Sequence, residues 1–270
     1  MHMESLAVCI ANDDLQGLQQ LKVENIHDIK IKESFPESYS QWDSWLDEFV
    51  TREYTCDKYS TPFQVACQRN SLNIAKWLLE SGASVEGTVE CSEDKYKLTA
   101  AHLAASSGAV EIVKLLVGIS KELFSVRTDS GWLPLHYAVL NDKIEVVNYL
   151  LTLNESYCTS DTRINFDKDF TCAHRGQSSS YKIVNNNTPL HFVRSTPMVE
   201  LLIQNKANVN AVAGEYDLTP LHTAFSAEVA MALLKNGADP TIKSTRGETP
   251  IQYCYKDEIK TVLENWNKNV

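Results

Sequence analysis

Histidine and cysteine are the side chains that most often act as nucleophiles, general bases or zinc ligands, and this chain has seven of each. The most compact group is Cys158, Cys172 and His174. These side chains could ligate zinc, or the imidazole could activate a thiol for nucleophilic attack. No Cys-x-x-Cys pair accompanies them, and Cys158 lies well before Cys172 in the sequence. The spacing is therefore specific for neither kind of site.

Four other histidines recur at the end of one short motif. Its copies are Thr99-Ala100-Ala101-His102, Leu133-Pro134-Leu135-His136, Thr188-Pro189-Leu190-His191 and Thr219-Pro220-Leu221-His222. Thr61-Pro62-Phe63 and Thr249-Pro250-Ile251 begin in the same way, and the steps between successive starts are unequal, with the longest from Leu133 to Thr188. The sequence has neither a Gly-rich phosphate loop nor a His-Glu-x-x-His motif. We therefore predict no catalytic residue, no metal site and no cofactor.

Each motif is expected to begin a pair of helices, most clearly between Thr219 and Pro240. The Thr219 hydroxyl can cap a helix, and Pro220 suits the first helical position, where no amide hydrogen is needed. The apolar residues on one face are Leu221, Ala224 and Phe225 in the first predicted helix, and Val229, Ala232, Leu233 and Leu234 in the second. Asn236-Gly237 ends the pair, because glycine accepts the left-handed conformation of a helix C-terminus. So small a pair needs a copy of itself on each side to bury its apolar face.

The repeated Thr-Pro-Leu-His start, the Leu-Leu pair and the closing Gly-Ala or Lys-Ala-Asn-Val-Asn together resemble the ankyrin-repeat family. That resemblance implies an all-α solenoid of about seven helix-turn-helix repeats with β-hairpin fingers, forming one domain over 1–270. The predicted repeats lie near 4–24, 60–85, 98–118, 131–151, 187–210, 218–240 and 248–266. It also implies that the motif histidines bond the threonine hydroxyl and the neighbouring turn, and that Cys9 and Cys254 fill a small buried position.

Two long insertions interrupt the predicted array, at 25–55 and 154–186. In the first, the spacing of five apolar residues predicts an amphipathic helix that covers the amino-terminal edge of the stack, or else an exposed aromatic patch. These residues are Trp42, Trp45, Leu46, Phe49 and Val50. The second insertion is polar and must loop out. It is an extension without a defined task, a partner-contacting finger, or the seat of the cysteine- or zinc-dependent chemistry described above.

Composition limits the class of partner. With 35 acidic and 25 basic residues the net charge is −10, which repels nucleic acid and anionic membranes and favours a protein partner with a basic or mixed surface. No apolar run approaches the roughly 20 residues that span a bilayer. An odd number of cysteines without a secretory signal favours a reducing compartment. We expect a monomeric cytoplasmic protein.

Function in an array of this family would lie on the concave face, which fingers and first helices form together. The family leaves the side chain two positions before the motif proline free, and the positions here are Ser60, Leu98, Trp132, Asn187, Leu218 and Glu248. We predict Trp132 as the main anchor for a partner. The alternative is that its indole packs against the adjacent finger. The predicted partner-binding residues are Trp132, Asp129, Tyr96, Leu98, Tyr216, Arg246 and Glu248.

Two further expectations rest on resemblance. Asn210, in Ala207-Asn208-Val209-Asn210-Ala211, resembles the asparagine that hydroxylating dioxygenases modify in ankyrin proteins. The irregular steps and the two insertions resemble ankyrin proteins that intracellular bacteria send into host cells as effectors, which would place this chain in the host cytosol. An ordinary eukaryotic or viral adaptor is the alternative.

Overall fold

The computed structural model describes residues 2–21, 26, 29–43, 48–91, 98–128, 132–153, 187–214 and 216–268. The chain divides into two compact units, an amino-terminal half, Met1–Asp129, and a carboxy-terminal half, Ser130–Val270. Each half is built from pairs of short antiparallel helices. The single domain over 1–270 stays a prediction, and the insertion 154–186 lies outside the described residues.

In the described part of the amino-terminal half the helices form three pairs. They are α1 His2–Ala11 with α2 Leu15–Gln20, α3 Pro62–Arg69 with α4 Leu72–Glu80, and α5 Ala100–Ser107 with α6 Val110–Ile119, followed by a 3-10 helix, Lys121–Phe124. Helix α3 begins as predicted: the Gln64 amide donates to the Thr61 hydroxyl (3.3 Å), and the Thr61 amide donates to Gln64 Oε1 (2.8 Å). Asn70 ends it in the left-handed conformation (φ 58°).

The first insertion forms a β-hairpin, so the prediction of a helix there was wrong. Strand β1, Ile31–Asp43, pairs antiparallel with β2, Glu48–Ser60, and β3, Glu90–Cys91, adds a short third strand beside β2. Trp42 lies opposite Phe49 in this register. The helical spacing of aromatic residues is weak evidence for a helix, because a short isolated helix has little stability of its own. Pairing of two long strands, in contrast, gives the backbone amides and carbonyls between them hydrogen-bond partners. The predicted residues Trp45 and Leu46 lie outside the described residues.

The fingers predicted between repeats are present at two places. Thr88 bridges Thr99 in the amino-terminal half, and Ala213 bridges Leu218 in the carboxy-terminal half. In the second finger the Ala213 and Leu218 backbones exchange two hydrogen bonds of 2.8 Å each. These short ladders confirm β-hairpin fingers at the junctions where the motif begins.

The carboxy-terminal half keeps long second helices but shortens the first segments. Its elements are α7 Pro134–Leu140, α8 Ile144–Leu153, a 3-10 helix Pro189–Phe192, α9 Thr196–Gln204, α10 Ala227–Lys235, α11 Pro250–Tyr253 and α12 Asp257–Lys268. Between Pro220 and Ser226 the chain makes turns instead of the predicted helix. The N-cap of α10, Ser226, follows too closely for a regular helix to form. Leu221 is buried as predicted, but Phe225 is 49% exposed, so its assignment to the apolar face was wrong.

The motif histidines are buried, and two of them, His191 and His222, bond both their own repeat and the next one. His191 Nδ1 accepts from the Thr188 amide (3.1 Å), and His222 Nδ1 accepts from the Thr219 amide (3.1 Å). On the other side of the ring, His191 Nε2 lies 3.0 Å from the Leu218 carbonyl. Because Nδ1 accepts, Nε2 carries the proton and donates it to the following finger. The structural role expected for these histidines is therefore observed in full for His191 and His222, whose Nδ1 also lies 2.9 and 2.8 Å from the threonine hydroxyl.

Hydroxyl groups make a second set of bonds between successive repeats. Ser71 Oγ donates to the carbonyl of Ile10, Ser107 Oγ donates to Cys67 O (3.1 Å), and Thr223 Oγ1 donates to His191 O (3.2 Å). In each case the donor lies one repeat after the acceptor. Leucine, isoleucine, valine and alanine side chains fill the space between these bonds; Ile74, Leu78, Val146, Leu202 and Leu233 are fully or almost fully buried.

The first prediction concerns acid stability. Burial lowers the pKa of His191 to about 4, against an unfolded value near 6.5. Stability from the neutral ring is then complete above pH 6.5 and is lost as the pH falls toward 4, by about 3 kcal/mol in all. His191→Gln should keep the cap, because Gln64 and Gln252 accept the same amide bond at 2.8 and 2.9 Å. The variant should lose much less stability on acidification than the parent.

Urea unfolding of the parent and of His191→Gln at about pH 7 and about pH 4.5 measures this difference. Both proteins have the same carboxylates, so the stability that carboxylate protonation removes is the same in each and cancels in the comparison. Equal loss of stability on acidification in the two proteins would contradict a neutral buried His191.

Candidate functional site

Trp132, the predicted anchor, lies in an aromatic cluster at the start of the carboxy-terminal half. Its ring centroid is 4.7 Å from that of Phe192, 5.3 Å from Tyr137 and 6.0 Å from His136. All three pairs are tilted, a geometry that aromatic quadrupoles favour. The indole is partly exposed. It therefore packs on the adjacent repeat and also presents a rigid edge to solvent.

Sequence reasoning missed Tyr137 and Phe192, which hold this indole. Both directly follow the motif histidine, and so does Tyr253 after the equivalent Gln252. All three are partly exposed. An aromatic residue at the same motif position in three repeats was a readable signal, because a residue beside a buried helical one faces the edge of the buried stripe.

Three predicted residues, Tyr216, Arg246 and Glu248, lie together in the fingers of the last two repeats. The Arg246 guanidinium lies 4.0 Å from the centre of the Tyr216 ring, and the Thr245 amide donates to the Tyr216 carbonyl (2.9 Å). The Glu248 carbonyl accepts from the Ser244 amide (2.8 Å) and from His222 Nε2 (3.2 Å). The finger backbone is thus fixed by hydrogen bonds.

Tyr253 closes this group from the side of α11. Its ring packs edge-on against His222 at 5.8 Å, and burial raises the pKa of its phenol above the usual value. Arg246 opposes that rise, while Glu248 and Tyr216 add to it. Tyr216, Arg246, Glu248 and Tyr253 therefore form one connected surface, which we call the finger cluster.

Three further residues were predicted as partner contacts, and the structure describes one of them, Leu98. Leu98 belongs to the amino-terminal half, where it is partly buried and its carbonyl accepts from the Val89 amide at 2.8 Å. Asp129 and Tyr96 lie outside the described residues. Their assignment to a partner surface stays a prediction.

Asn210 lies in the turn after α9 and links it to the following turn. Its amide Nδ2 donates to the Gly237 carbonyl (3.1 Å), its Oδ1 accepts from the Asp239 amide (2.8 Å), and its own backbone amide donates to Asn208 Oδ1 (3.0 Å). Its side chain therefore joins two successive repeats. Access by a modifying enzyme would require these bonds to open.

Two of the described cysteines, Cys67 and Cys254, have buried thiols. Burial raises the pKa of the Cys67 thiol far above its usual value, so the nucleophilic thiolate is suppressed. Cys254 is also buried, and its thiol donates to the Lys256 carbonyl at 3.6 Å. Within the described ranges, no group of three His, Cys, Asp or Glu side chains is placed to bind a metal. Cys158, Cys172 and His174 lie outside those ranges.

In the described part of the chain no helix is both long and apolar enough to traverse a bilayer.

The second testable prediction follows from Asn210. Asn210→Ala removes both side-chain bonds to the next repeat and should lower the free energy of unfolding by about 1–3 kcal/mol. Asn205→Ala is the control, since the Asn205 side-chain amide donates to the Leu201 carbonyl of its own helix, at 2.9 Å. Denaturant unfolding checks the pair. An equal or smaller loss for Asn210→Ala would mean that the link between repeats contributes little.

Comparison with known proteins agrees with the repeats seen in the structure. A family model described as ankyrin repeats in three copies matches residues 6–122 and 86–162, and the ankyrin-repeat model matches 185–213 and 216–245. The B-cell lymphoma 3 protein homolog of Mus musculus is 28% identical over 176 residues, which is 61% of this chain and 39% of that relative. The chain thus spans less than half the length of this curated relative.

Two solved structures show the same fold at low sequence identity. The human ASB11 ankyrin repeat domain has a TM-score of 0.62 and 20% identity, covering 96% of both chains. A chain in the complex of the predatory endopeptidase Bd0816 from Bdellovibrio bacteriovorus with the immunity protein Bd3460 has a TM-score of 0.54 and 20% identity, covering 78% of this chain and 99% of that chain. Because the family models cover well over half of the sequence and the stacked helix pairs and fingers are those of its fold, the chain belongs to the ankyrin-repeat family.

Proposed function

We propose that this chain is a non-enzymatic module that binds a partner protein through the fingers and first segments of its carboxy-terminal repeats. The observation that carries this is the partly exposed Trp132 indole, held at 4.7 Å from Phe192 and 5.3 Å from Tyr137. A rigid aromatic anchor loses little conformational entropy on binding, which is why tryptophan and tyrosine dominate interface hot spots. Proteins of this family are generally interaction modules without catalytic activity.

The finger cluster would supply the polar part of the interface. Arg246 stacked on Tyr216 offers a planar donor surface and an aromatic edge, and Glu248 adds a carboxylate beside them. Such mixed chemistry fits a partner with a basic or mixed surface, as does the net charge of −10. Asp129, Tyr96 and Leu98 are proposed as outlying contacts of the same partner. The chain would work in the cytosol as a monomer.

The origin we propose is a bacterial effector that acts on host proteins. It is supported by the unequal steps between successive motif starts and by the two insertions at 25–55 and 154–186. The first of these insertions contributes to a hairpin of two long strands, Ile31–Asp43 and Glu48–Ser60. Animal-cell lysate is accordingly the source of partners to use first.

The third prediction tests the anchor. Immobilised parent protein and Trp132→Ala are used to capture proteins from animal-cell lysate, and captured proteins are then titrated by calorimetry. Loss of a hot-spot tryptophan should weaken the partner by about 2 kcal/mol or more, which is roughly thirtyfold. Tyr149→Ala is the control, because Tyr149 is also a partly exposed aromatic residue but lies on the second helix α8.

Thermal unfolding must first establish that both variants are folded at the titration temperature, since Trp132 also packs on Phe192. Equal losses of affinity in the two variants, or none in Trp132→Ala, would refute the proposed anchor.

We also propose Asn210 as a substrate of asparaginyl-hydroxylating dioxygenases, which is the fourth prediction. The reaction would add one oxygen to the side chain, visible as the corresponding gain in intact mass. Two hydrogen bonds hold Asn210 to Gly237 and Asp239, and they must open before an enzyme can reach the side chain. Hydroxylation should therefore be faster in a variant whose repeats open more often, because its free energy of unfolding is lower than that of the parent. Asn210→Gln should gain no oxygen, whereas a gain in that variant would place the modification elsewhere.

A further inference from the structure

Three side chains from successive repeats meet at one place on the carboxy-terminal half. Arg194, Phe225 and Lys256 are equally spaced along the sequence. Arg194 comes just before α9, Phe225 just before α10 and Lys256 just before α12. The three residues therefore occupy equivalent positions, and the Phe225 ring lies next to a cation from the preceding repeat and one from the following repeat.

The contacts around the ring are close. The Arg194 guanidinium carbon is 5.1 Å from the centre of the Phe225 ring, and the Lys256 ammonium nitrogen is 4.5 Å from it. The same ammonium donates to the Phe225 carbonyl at 2.5 Å. Phe225 remains 49% exposed. We call Arg194, Phe225 and Lys256 the cation–aromatic patch.

Within the described residues neither cation of the patch forms an ion pair. Of the carboxylates close to these residues in the sequence or through a hydrogen bond, Asp142 accepts from the Ser195 hydroxyl (2.5 Å), and Asp257 lies 3.9 Å from Lys260 Nζ. The Ser226 hydroxyl bonds Glu228 and lowers the pKa of its carboxyl group. The Arg194 guanidinium thus keeps its donors available beside exposed aromatic surface.

We propose that the cation–aromatic patch binds a protein segment in which an acidic side chain stands beside an apolar one. The carboxylate would bond the Arg194 fork, with the Lys256 ammonium adding a second positive charge beside the same ring, while the apolar side chain covers the exposed part of Phe225. This inference rests on the proposed function and adds to it a second contact surface. The net charge of −10 favours a basic or mixed partner, whereas this positively charged patch would bind an acidic side chain. Single-stranded nucleic acid is disfavoured, because its many phosphates would be repelled by the rest of the chain.

The fifth prediction uses a phage-displayed library of random peptides selected on the parent protein, with the enriched peptides then synthesised and titrated. We expect peptides with Asp or Glu next to Leu, Phe or Trp. Their affinity should fall about tenfold or more in the double variant R194Q/K256Q and should be largely restored in R194K/K256R. The control is Lys235→Gln, which removes a positive charge from an exposed residue at the end of α10 and should change affinity less than about twofold.

Several outcomes would overturn the proposal. Selection of basic peptides, absence of any enriched peptide, or equal weakening by R194Q/K256Q and Lys235→Gln would each remove its basis. Displacement of the acidic peptides by a single-stranded oligonucleotide at equal concentration would identify a nucleic-acid site instead. Peptides that lose affinity in Trp132→Ala but not in R194Q/K256Q would support the proposed function while refuting this patch.

Discussion

The structure depends on a bond that each repeat cannot make alone. The motif histidine closes its own helix start through Nδ1, and in two repeats its Nε2 reaches the finger of the next repeat, at 3.0 Å from Leu218 O and 3.2 Å from Glu248 O. A partly buried carbonyl without a partner is costly, so these two fingers depend on the preceding imidazole. The same imidazole ring thus makes one bond within its own repeat and one bond to the next repeat. Cooperativity in a repeat array arises from couplings of this kind.

The same constraint determines which surface is left for recognition. Buried positions of the motif are occupied by the proline, by one apolar residue and by the histidine, as in Pro189, Leu190 and His191. The position directly after the motif histidine is partly exposed and holds Tyr137 and Phe192 in two repeats, while Tyr253 follows the equivalent Gln252. Trp132 leans on two of these residues. The same aromatic side chains therefore pack two repeats together and form the partly exposed surface that we propose for partner binding.

Local rules predicted what local interactions decide. The Thr61-Pro62 start, the Asn236-Gly237 stop and the buried face of α10 could all be read from the sequence, because caps and apolar periodicity act within one or two turns. Trp132 could be chosen from its position before the motif. Its packing on Phe192 could not be derived, because the two residues are far apart in the sequence and belong to different repeats.

Non-local pairing explains the main error. The residues from Trp42 to Val50 have helical spacing, but the backbone of β1 pairs with that of β2 along its whole length, from Ile31 opposite Ser60 to Asp43 opposite Glu48. Periodicity within one segment carries no information about a partner strand. Phe225 was misplaced for a related reason, since the early N-cap at Ser226 shortens the segment and turns the ring outward.

Net charge is a poor guide to a surface built by repetition. A total of −10 describes the whole chain, whereas the equal sequence spacing of Arg194, Phe225 and Lys256 brings both cations to the same ring. Any residue at a fixed motif position acquires neighbours from the repeats before and after it, however far apart they are in sequence. The surface charge of such a protein is therefore better judged by comparing equivalent positions of successive repeats than by summing charges along the chain. Compared in this way, the sequence places Arg194 and Lys256 beside one aromatic ring, which the net charge of the chain does not reveal.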